Sequence, residues 1–260
     1  MRDGTNTAYL FRQLLSRELA ARYKSTILGS GWIVMQPLLM LCVYTVVFNY
    51  IFQVRWAGVE STTGFAIMLF AGLIVFNFFA EVLTASPTLV LGQPNLVKKV
   101  VFPVEMLAVV RVSAAFITAL IGVLILFVAH LLFVGLPTAW FAAVFLPLVV
   151  MFPMLLGIAW LLSAFGVYLR DISQFTGITA SVMLFVSPIF FPATAMPDSF
   201  SLILKINPLV TPMQELRAVA LSGVAPDLVA LSYYFCVSCV FARMALACFR
   251  RLSTGFADVL

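Results

Sequence analysis

The chain has 260 residues and a net charge of +5, and its side chains are unusually apolar: 63% are hydrophobic and 10% are charged. Soluble domains usually carry about 25% charged residues. A single water-soluble core could not bury this much apolar surface and still present a polar exterior, so a soluble globular protein is excluded. The composition predicts an all-α integral membrane protein, because the apolar runs are long and continuous.

The first predicted element is an amphipathic helix over residues 5–25. Leu10 and Leu14 fall on one half of a helical wheel, whereas Arg12 and Arg17 fall on the other. This pattern is typical of a helix that lies on a membrane surface and holds the following span at a fixed depth. Two roles stay open for it, a simple anchor and a part in gating.

Six membrane spans are predicted after this helix, because about twenty apolar residues cross the hydrocarbon core as a helix. Together they form a single transmembrane domain over residues 1–260, with short re-entrant helices between spans five and six. The predicted spans are Gly31–Val54, Gly64–Ser86, Met106–Val134, Ala139–Tyr168, Phe175–Phe191 and Leu228–Phe249.

Three ionisable residues fall inside these spans, Glu81, Arg111 and Arg243, and each lies near the inner end of its span. Ionisable groups inside a membrane are costly, and those that are present often line a transport pathway. Glu81 is about one helical turn from the cytoplasmic end, so its carboxylate could also extend to the interface. Both interpretations of Glu81 stay open at this point.

The loop after span two, residues 87–105, has more structure than a plain hydrophilic connection. It contains a turn at Gln93, an apolar and basic stretch, and a stop at Pro103. A short exposed element that mixes apolar and basic residues suits docking to another protein. The need for positive charge on the inner side would explain Lys98 and Lys99, but not the apolar residues around them.

The segment 193–226, between spans five and six, also predicts structure. One short helix is expected to end at Asn207-Pro208, and a second, starting at Thr211, is expected to stop at Gly223. Non-helical backbone at membrane depth is tolerated only where protein or water covers it. The segment is therefore expected to form a lid or constriction at the outer mouth.

The distribution of Lys and Arg predicts the orientation of the chain. Basic residues cluster before span one, after span two, after span four and at the end of span six. Cytoplasmic loops carry an excess of such residues. With an even number of spans, both termini are therefore expected on the cytoplasmic side. Topology accounts for the net charge, so no nucleic-acid partner is required.

No catalytic or metal-binding constellation is visible in the sequence. The four cysteines fall in predicted spans, and His130 is the only histidine, so a metal site is not expected. The G-x-x-x-x-G-K-[ST] phosphate loop is missing, so this chain is not expected to bind ATP by itself. An ion-coupled carrier would need deep, paired ionisable groups, and a membrane enzyme would need a clustered acidic or histidine site. Neither pattern is present.

Five stretches, in order along the chain, resemble the membrane subunit of ABC-2 polysaccharide exporters, the family of O-antigen, capsule and teichoic-acid export permeases. The resemblance covers essentially the whole chain and keeps the order and spacing of the family. The stretches are residues 17–29, RELAARYKSTILG, with Trp32 and Pro37 beyond; residues 96–103, LVKKVVFP; residues 168–172, YLRDI; residues 187–190, SPIF; and Asn207-Pro208, with Arg217 and Gly223 beyond.

This resemblance implies a homodimer of the chain that works with two copies of a separate ABC ATPase. ATP and Mg²⁺ would then be bound by the partner, and no cofactor by this chain. The implied function is export of a lipid-linked, O-antigen-like polysaccharide from the cytoplasmic side across the bacterial inner membrane, so the chain would also contact membrane lipid. A different ABC-2 substrate (capsule, teichoic acid, a drug or a small lipid) stays open as the alternative, and an ion-coupled carrier is less favoured.

The resemblance also assigns three groups of residues to roles in transport. The ATPase-coupling group comprises Gln93, Asn95, Leu96, Val97, Lys98, Lys99, Phe102, Pro103, Arg170 and Asp171. The group on the interface helix, near the point of substrate access, comprises Arg17, Glu18, Arg22, Tyr23, Lys24, Gly29 and Trp32. The outer gate comprises Pro188, Pro192, Asn207, Pro208 and Arg217.

A channel that conducts sugar chains would need aromatic faces, because the C–H faces of sugars pack on rings. Tyr44, Phe48 and Phe52 form one stripe at helical spacing in span one. With Glu81 they are the candidate channel-lining residues. The alternative is that each aromatic side chain faces lipid or a neighbouring helix.

Overall fold

The computed structural model describes residues 3–23, 29–47, 61–94, 96, 102–192 and 198–259, and these ranges contain helices and no strand. Short 3₁₀ turns and the π-helical turn Ala218–Ser222 connect or extend the α-helices. The α-helices are numbered here in chain order. They are α1 Asp3–Tyr23, α2 Trp32–Thr45, α3 Thr62–Ala85, α4 Glu105–Phe133, α5 Leu146–Tyr168, α6 Ile172–Val186, α7 Ser201–Ile206, α8 Val210–Arg217, α9 Leu228–Ser253 and α10 Phe256–Val259.

Four stretches within the described ranges are long and apolar enough to cross a membrane. They are Thr62–Thr88, Glu105–Phe133, Ala139–Tyr168 and Leu228–Ser253, and they coincide with predicted spans two, three, four and six. The apolar helices α2 and α6 are shorter, at 14 and 15 residues, or about 21–22 Å at the helical rise. An all-helical, multi-pass membrane protein is therefore confirmed, and the number of six spans stays a prediction.

The fifth predicted span has different bounds in the structure. The sequence predicts Phe175–Phe191, whereas the helix runs over Ile172–Val186. Ser187 has extended backbone with ψ 150°, because a following proline disfavours the helical region for the residue before it. The chain therefore leaves the helix before Pro188 and makes a tight turn, in which the Ile189 N–H donates to the Ser187 carbonyl at 2.7 Å.

Local chemistry fixes several helix ends. The Ser61 hydroxyl accepts a hydrogen bond from the Gly64 N–H at 3.0 Å and caps α3, as expected of an N-cap serine. Asp227 caps α9 by accepting from two backbone N–H groups of its first turn. Gly223 has φ 60° and follows the π-helical turn. It therefore ends the helical segment that begins with α8 in the left-handed conformation that favours glycine.

Helix α3 lies at the centre of the fold. It packs against α2, α4, α5, α6 and α8, and most of its length, from Phe65 to Leu83, is buried. The other extensive contact joins α5 to α9. Small residues permit it, because Gly157 faces Phe241 and the backbone of Ala242. The remaining faces of α4, α6 and α9 expose large apolar side chains, as expected of surfaces in contact with lipid or with another membrane chain.

Gly166 sets the distance between α5 and the turn that follows α3. A Cβ at this position would overlap the backbone carbonyl of Pro87. Gly166→Ala is therefore expected to push the two elements apart and to lower the free energy of unfolding by ~1–3 kcal/mol. Thermal unfolding of the detergent-purified protein measures the effect.

Gly177→Ala in α6 is the matched control for this prediction. A Cβ at Gly177 meets nothing within 4 Å, and alanine has the higher helix propensity. Its unfolding temperature is expected to stay the same or rise slightly. An equal loss of stability in both variants would contradict the close contact between Gly166 and Pro87.

Candidate functional site

Helix α1 lies against α4 with the face that the sequence predicts to be apolar. Leu10 and Leu14 are half-buried, whereas Arg12 and Arg17 are exposed. The side chains of Arg22, Tyr23 and Lys24, three of the predicted substrate-access residues, lie outside the described part of the chain. The position of α1 is therefore set at least in part by contact with another helix of the same chain.

Arg111 of α4 joins three helices at one end of the molecule. Its Nη1 donates to Glu18 Oε1 of α1 at 2.7 Å, and its Nη2 lies 3.8 Å from Glu81 Oε1 of α3. The Arg111, Glu18 and Glu81 side chains are 16%, 30% and 22% exposed. Opposite charges compensate one another here, as paired groups must at low dielectric.

Sequence reasoning singled out Glu18 and Glu81 but gave Arg111 no role. The pairing of Arg111 with Glu81 could have been predicted, because charged residues are rare in the spans. An acid and a base near the inner ends of successive spans are expected to pair. Pairing to Glu18 carried no such signal, because α1 and α4 are 93 residues apart at this contact.

A cavity of about 490 Å³ opens beside this charged group, between α2, α3 and α4. Its polar lining includes Gln36, Asn77, Glu81 and Arg111, and Trp32 contributes an aromatic ring. A narrow extension of about 40 Å³ continues from Glu81 and Asn77 toward apolar residues of α3 and α4. The structure thus brings the predicted access residue Trp32 and the predicted lining residue Glu81 to one cavity.

Tyr44 lies away from this cavity. Its ring packs edge-on against Phe190, with the ring centroids 5.2 Å apart. The contact joins α2 to the turn after α6, at the end of the molecule opposite to Glu81. Phe48 and Phe52 lie outside the described residues, so the predicted aromatic stripe stays a prediction.

Arg217 lies at the end of the molecule opposite to Glu81, and its side chain is only 6% exposed. Its Nη1 donates to the Pro188 carbonyl at 2.6 Å, its Nη2 to the Ile189 carbonyl at 2.8 Å, and its Nε to the Met68 carbonyl at 3.1 Å. A Cβ at Gly72 would overlap the guanidinium. One side chain therefore ties α8, the turn after α6 and the start of α3 together.

Asn207 supports the same turn from the other side. Its Nδ2 donates to Ser187 Oγ at 2.9 Å, and its Oδ1 accepts from the Leu209 N–H at 2.9 Å. Pro208 follows directly and is half-buried. The predicted outer-gate residues Asn207, Pro188 and Arg217 thus meet around one turn. Pro192 is half-buried next to the gap at 193–197, and no contact of its side chain enters this group among the described residues.

The described residues among the predicted coupling group of the loop, Gln93, Leu96, Phe102 and Pro103, lie at the end of the molecule that carries Arg111. Gln93 Oε1 accepts a long hydrogen bond of 3.4 Å from Arg17 Nη2 of α1. Leu96 and Phe102 are half-buried and Pro103 is exposed, whereas Asn95, Val97, Lys98 and Lys99 lie outside the described ranges. The loop therefore touches α1 at one point at least.

The second predicted contact is the corner between α5 and α6. Arg170 and Asp171 are both exposed there, beside a shallow cavity of about 420 Å³ that Tyr168 and Phe175 also line. The Tyr168 hydroxyl donates to the Leu252 carbonyl at 2.8 Å. The corner is therefore held against the end of α9 and presents charged and apolar groups outward.

A bundle of long apolar helices around a polar cavity is typical of a multi-pass membrane protein. The profile of the ABC-2 type transporter family matches residues 9–221, so the chain belongs to that family. Its members work with ABC ATPase partners, and this chain is the membrane transport subunit. The resemblance noted in the sequence is thus confirmed.

Three relatives align with nearly the full chain. An O-antigen export system permease protein of Klebsiella pneumoniae is 24% identical over 98% of this chain and 97% of its own length. A second O-antigen export system permease protein, from Myxococcus xanthus, is 27% identical over 96% and 94%. A polysialic acid transport protein of Escherichia coli is 24% identical over 91% of each chain.

Proposed function

We propose that this chain is the channel-forming permease subunit of an ATP-driven exporter that moves a lipid-linked, O-antigen-like polysaccharide from the cytoplasmic side across the bacterial inner membrane. The observation that carries the proposal is the alignment, over nearly the whole length, with two proteins named as O-antigen export permeases. A polar cavity between apolar helices agrees with transport of a hydrophilic substrate.

The proposed assembly is a homodimer with two copies of a separate ABC ATPase, which binds ATP and Mg²⁺. Residues 93–103 and the corner at Arg170 and Asp171 are the proposed docking elements. Exposure of that corner supports the assignment, and so does the contact between Gln93 and the interface helix α1. Six spans with both termini in the cytoplasm, an interface helix α1 and re-entrant helices α7 and α8 complete the arrangement.

The proposed mechanism starts when ATP binding closes the ATPase pair and displaces the docked loops. The contact from Gln93 to α1, and that from Glu18 to Arg111, would pass this displacement to the inner ends of α3 and α4. A channel would then open between the two copies of the chain. The Arg217 contacts would keep the outer turn in place while Tyr44, Phe48 and Phe52 face the passing glycan.

A capsule-type polysaccharide is the second candidate substrate, and one observation favours it. The polysialic acid transport protein of Escherichia coli aligns over 91% of this chain. Both candidates share the same architecture and differ in the polymer. Comparison of surface O-antigen and capsule between the wild-type strain and a deletion strain would separate them, because only the exported polymer disappears.

Charge reversal in the loop after α3 tests the proposed assembly. Lys98→Glu/Lys99→Glu is expected to weaken co-purification with the ATPase and to reduce coupled ATP hydrolysis in lipid at least tenfold, since the introduced carboxylates would repel the acidic groove in which the basic side chains are proposed to dock. Lys98→Arg/Lys99→Arg is the matched control and is expected to retain coupling. A chain that is stable alone, binds no ATPase and is indifferent to the reversal would instead favour an ion-coupled carrier or a membrane enzyme.

A further inference from the structure

Both ends of the loop at residues 87–105 lie against the C-terminal part of α5. At the start of the loop, a Cβ at Gly166 would overlap the Pro87 carbonyl, so the two backbones are in direct contact. At its end, the buried Trp160 donates from its indole N–H to the Glu105 carbonyl at 3.0 Å. Closely packed elements transmit displacement to one another, so a movement of either loop end also moves α5.

The same part of α5 leads into the second proposed docking element. Tyr168 is the last residue of α5, and the exposed Arg170 and Asp171 follow directly after Leu169. Asp171 precedes α6 but makes no side-chain hydrogen bond to it, although aspartate is a favoured N-cap residue. Its carboxylate is therefore not used in helix capping. Residues 160–168, named here the shared segment, thus adjoin both docking elements.

Tyr168 holds the end of the shared segment against α9 and α10. Its hydroxyl donates to the Leu252 carbonyl at 2.8 Å, and its ring centroid lies 6.0 Å from that of Phe256. Phe256 is fully buried and packs edge-on against Phe249. A Cβ at Gly255 would lie 2.7 Å from the Tyr168 hydroxyl, closer than side chains normally approach. Glycine at this position therefore allows the tyrosine to reach the Leu252 carbonyl.

This contact matters because a helix end is the least stable part of a helix. The last carbonyl groups of an α-helix have no intrahelical partner, and terminal turns open at a small cost in free energy. Without the Tyr168 contact, the corner at Arg170 and Asp171 would move independently of Trp160 and Gly166, against which the loop ends lie. With it, the corner, the loop ends and the end of α9 are joined.

We propose that the shared segment makes the two docking elements one rigid unit, so that the ATPase displaces the loop, the corner and α9 together. Tyr168 is the positioning residue of this unit, because it fixes the corner relative to the loop. The movement of the ATPase then reaches α4 through Glu105 and α9 through Leu252. The inference rests on the proposed function, since it takes the loop and the corner as the sites of ATPase docking.

Tyr168→Phe tests the unit by removing a single hydroxyl. In the full chain with its ATPase in lipid nanodiscs, amide hydrogen exchange at residues 167–172 is expected to accelerate by roughly three- to tenfold, the effect of one lost hydrogen bond. Exchange at residues 86–92 is expected to stay unchanged, because the loop ends keep their own contacts with α5.

The functional readouts separate positioning from a general loss of structure. In Tyr168→Phe, co-purification with the ATPase and ATP hydrolysis are expected to persist. Surface glycan in a complemented deletion strain is expected to fall, because the corner no longer moves with the loop. Tyr233→Phe is the matched control and is expected to behave as the wild type, since Tyr233 is 74% exposed on α9.

Gly255→Ala gives a second test, which general destabilisation does not reproduce. The added methyl group would collide with the Tyr168 hydroxyl, so this variant is expected to accelerate exchange at the corner and reduce export as Tyr168→Phe does. In the Tyr168→Phe background it is expected to add nothing, because Cζ of that ring lies 3.8 Å from the new methyl carbon. Val259→Ala, which truncates an exposed side chain of α10, is the control.

The inference is overturned if corner exchange or export in Tyr168→Phe equals that of the wild type, if the losses in the double variant are additive, or if ATP hydrolysis falls in step with export. Each of these results leaves the proposed function standing, because the ATPase still binds. A wild-type chain that binds no ATPase would instead contradict the proposed function itself.

Discussion

Arg217→Leu is expected to lower the free energy of unfolding by roughly 2–5 kcal/mol and to abolish export. The side chain is 6% exposed and donates to three carbonyl oxygens, those of Met68, Pro188 and Ile189. Leucine leaves these buried acceptors without donors, at about 1–3 kcal/mol each, although membrane hydrogen bonds often contribute less than that. Thermal unfolding in detergent and surface glycan in a complemented deletion strain are the two measurements.

Two further variants test this prediction, one as an intermediate case and one as a control. Arg217→Lys retains the charge but reaches fewer of the three oxygens, because a single ammonium cannot reproduce the planar fork of a guanidinium. It is expected to fall between the wild type and the leucine variant. Lys205→Leu removes an exposed cation from α7, in the same segment between α6 and α9, and is expected to match the wild type. Wild-type stability in Arg217→Leu would show that the turn after α6 does not need the arginine to keep its shape.

Arg111→Met is expected to release α1 from the membrane bundle. The substitution removes the 2.7 Å bond to Glu18 and the nearby charge that compensates Glu81. Hydrogen bonds to charged groups contribute about 1.5–3 kcal/mol, which corresponds to a tenfold or greater change in the opening equilibrium. Amide hydrogen exchange in residues of α1 is therefore expected to accelerate at least tenfold, and ATP-dependent export is expected to fall.

Arg250→Met supplies the control for charge loss alone. Arg250 also pairs with a glutamate, Glu105 at 3.2 Å, but its side chain is 63% exposed, and such pairs contribute only about 0.2–1 kcal/mol. Exchange in α1 is expected to stay unchanged in this variant. Glu18→Gln is expected to reproduce part of the Arg111→Met effect, since an amide still accepts a hydrogen bond but without charge. Similar exchange in wild type and Arg111→Met would refute the attachment of α1 through this arginine.

The long spans were predictable because their signal is local. Helices α3, α4 and α9 are continuous apolar runs with a serine or aspartate cap or a basic end, and each of these features lies within its own segment. Gly223 belongs to the same class, because a glycine after a short helical pattern predicts a left-handed stop. The end of α6 was misplaced although Pro188 carries the relevant signal, since the apolar residues beyond it extended the run to Phe191.

The candidate site was less predictable because its contacts join distant segments. Glu18 and Arg111 are 93 positions apart, and no pattern within either helix indicates the partner. Arg217 binds main-chain oxygens, which every residue carries, so its partners leave no trace in the sequence. The sequence analysis gave Asn77 no role, although a single amide among the apolar residues of span two indicates a polar cavity.

The three bonds of Arg217 have a consequence for how the turn after α6 can vary. Because they end on main-chain oxygens, these bonds do not depend on which side chains Met68 and Ile189 carry, whereas the buried Ser187 and Phe190 side chains make their own contacts with Asn207 and Tyr44. Phe191, just beyond this turn, is 38% exposed, and a substitution there leaves the three acceptors of Arg217 unchanged. The surface at this end of the molecule can therefore vary while the hydrogen bonds that hold the turn are retained.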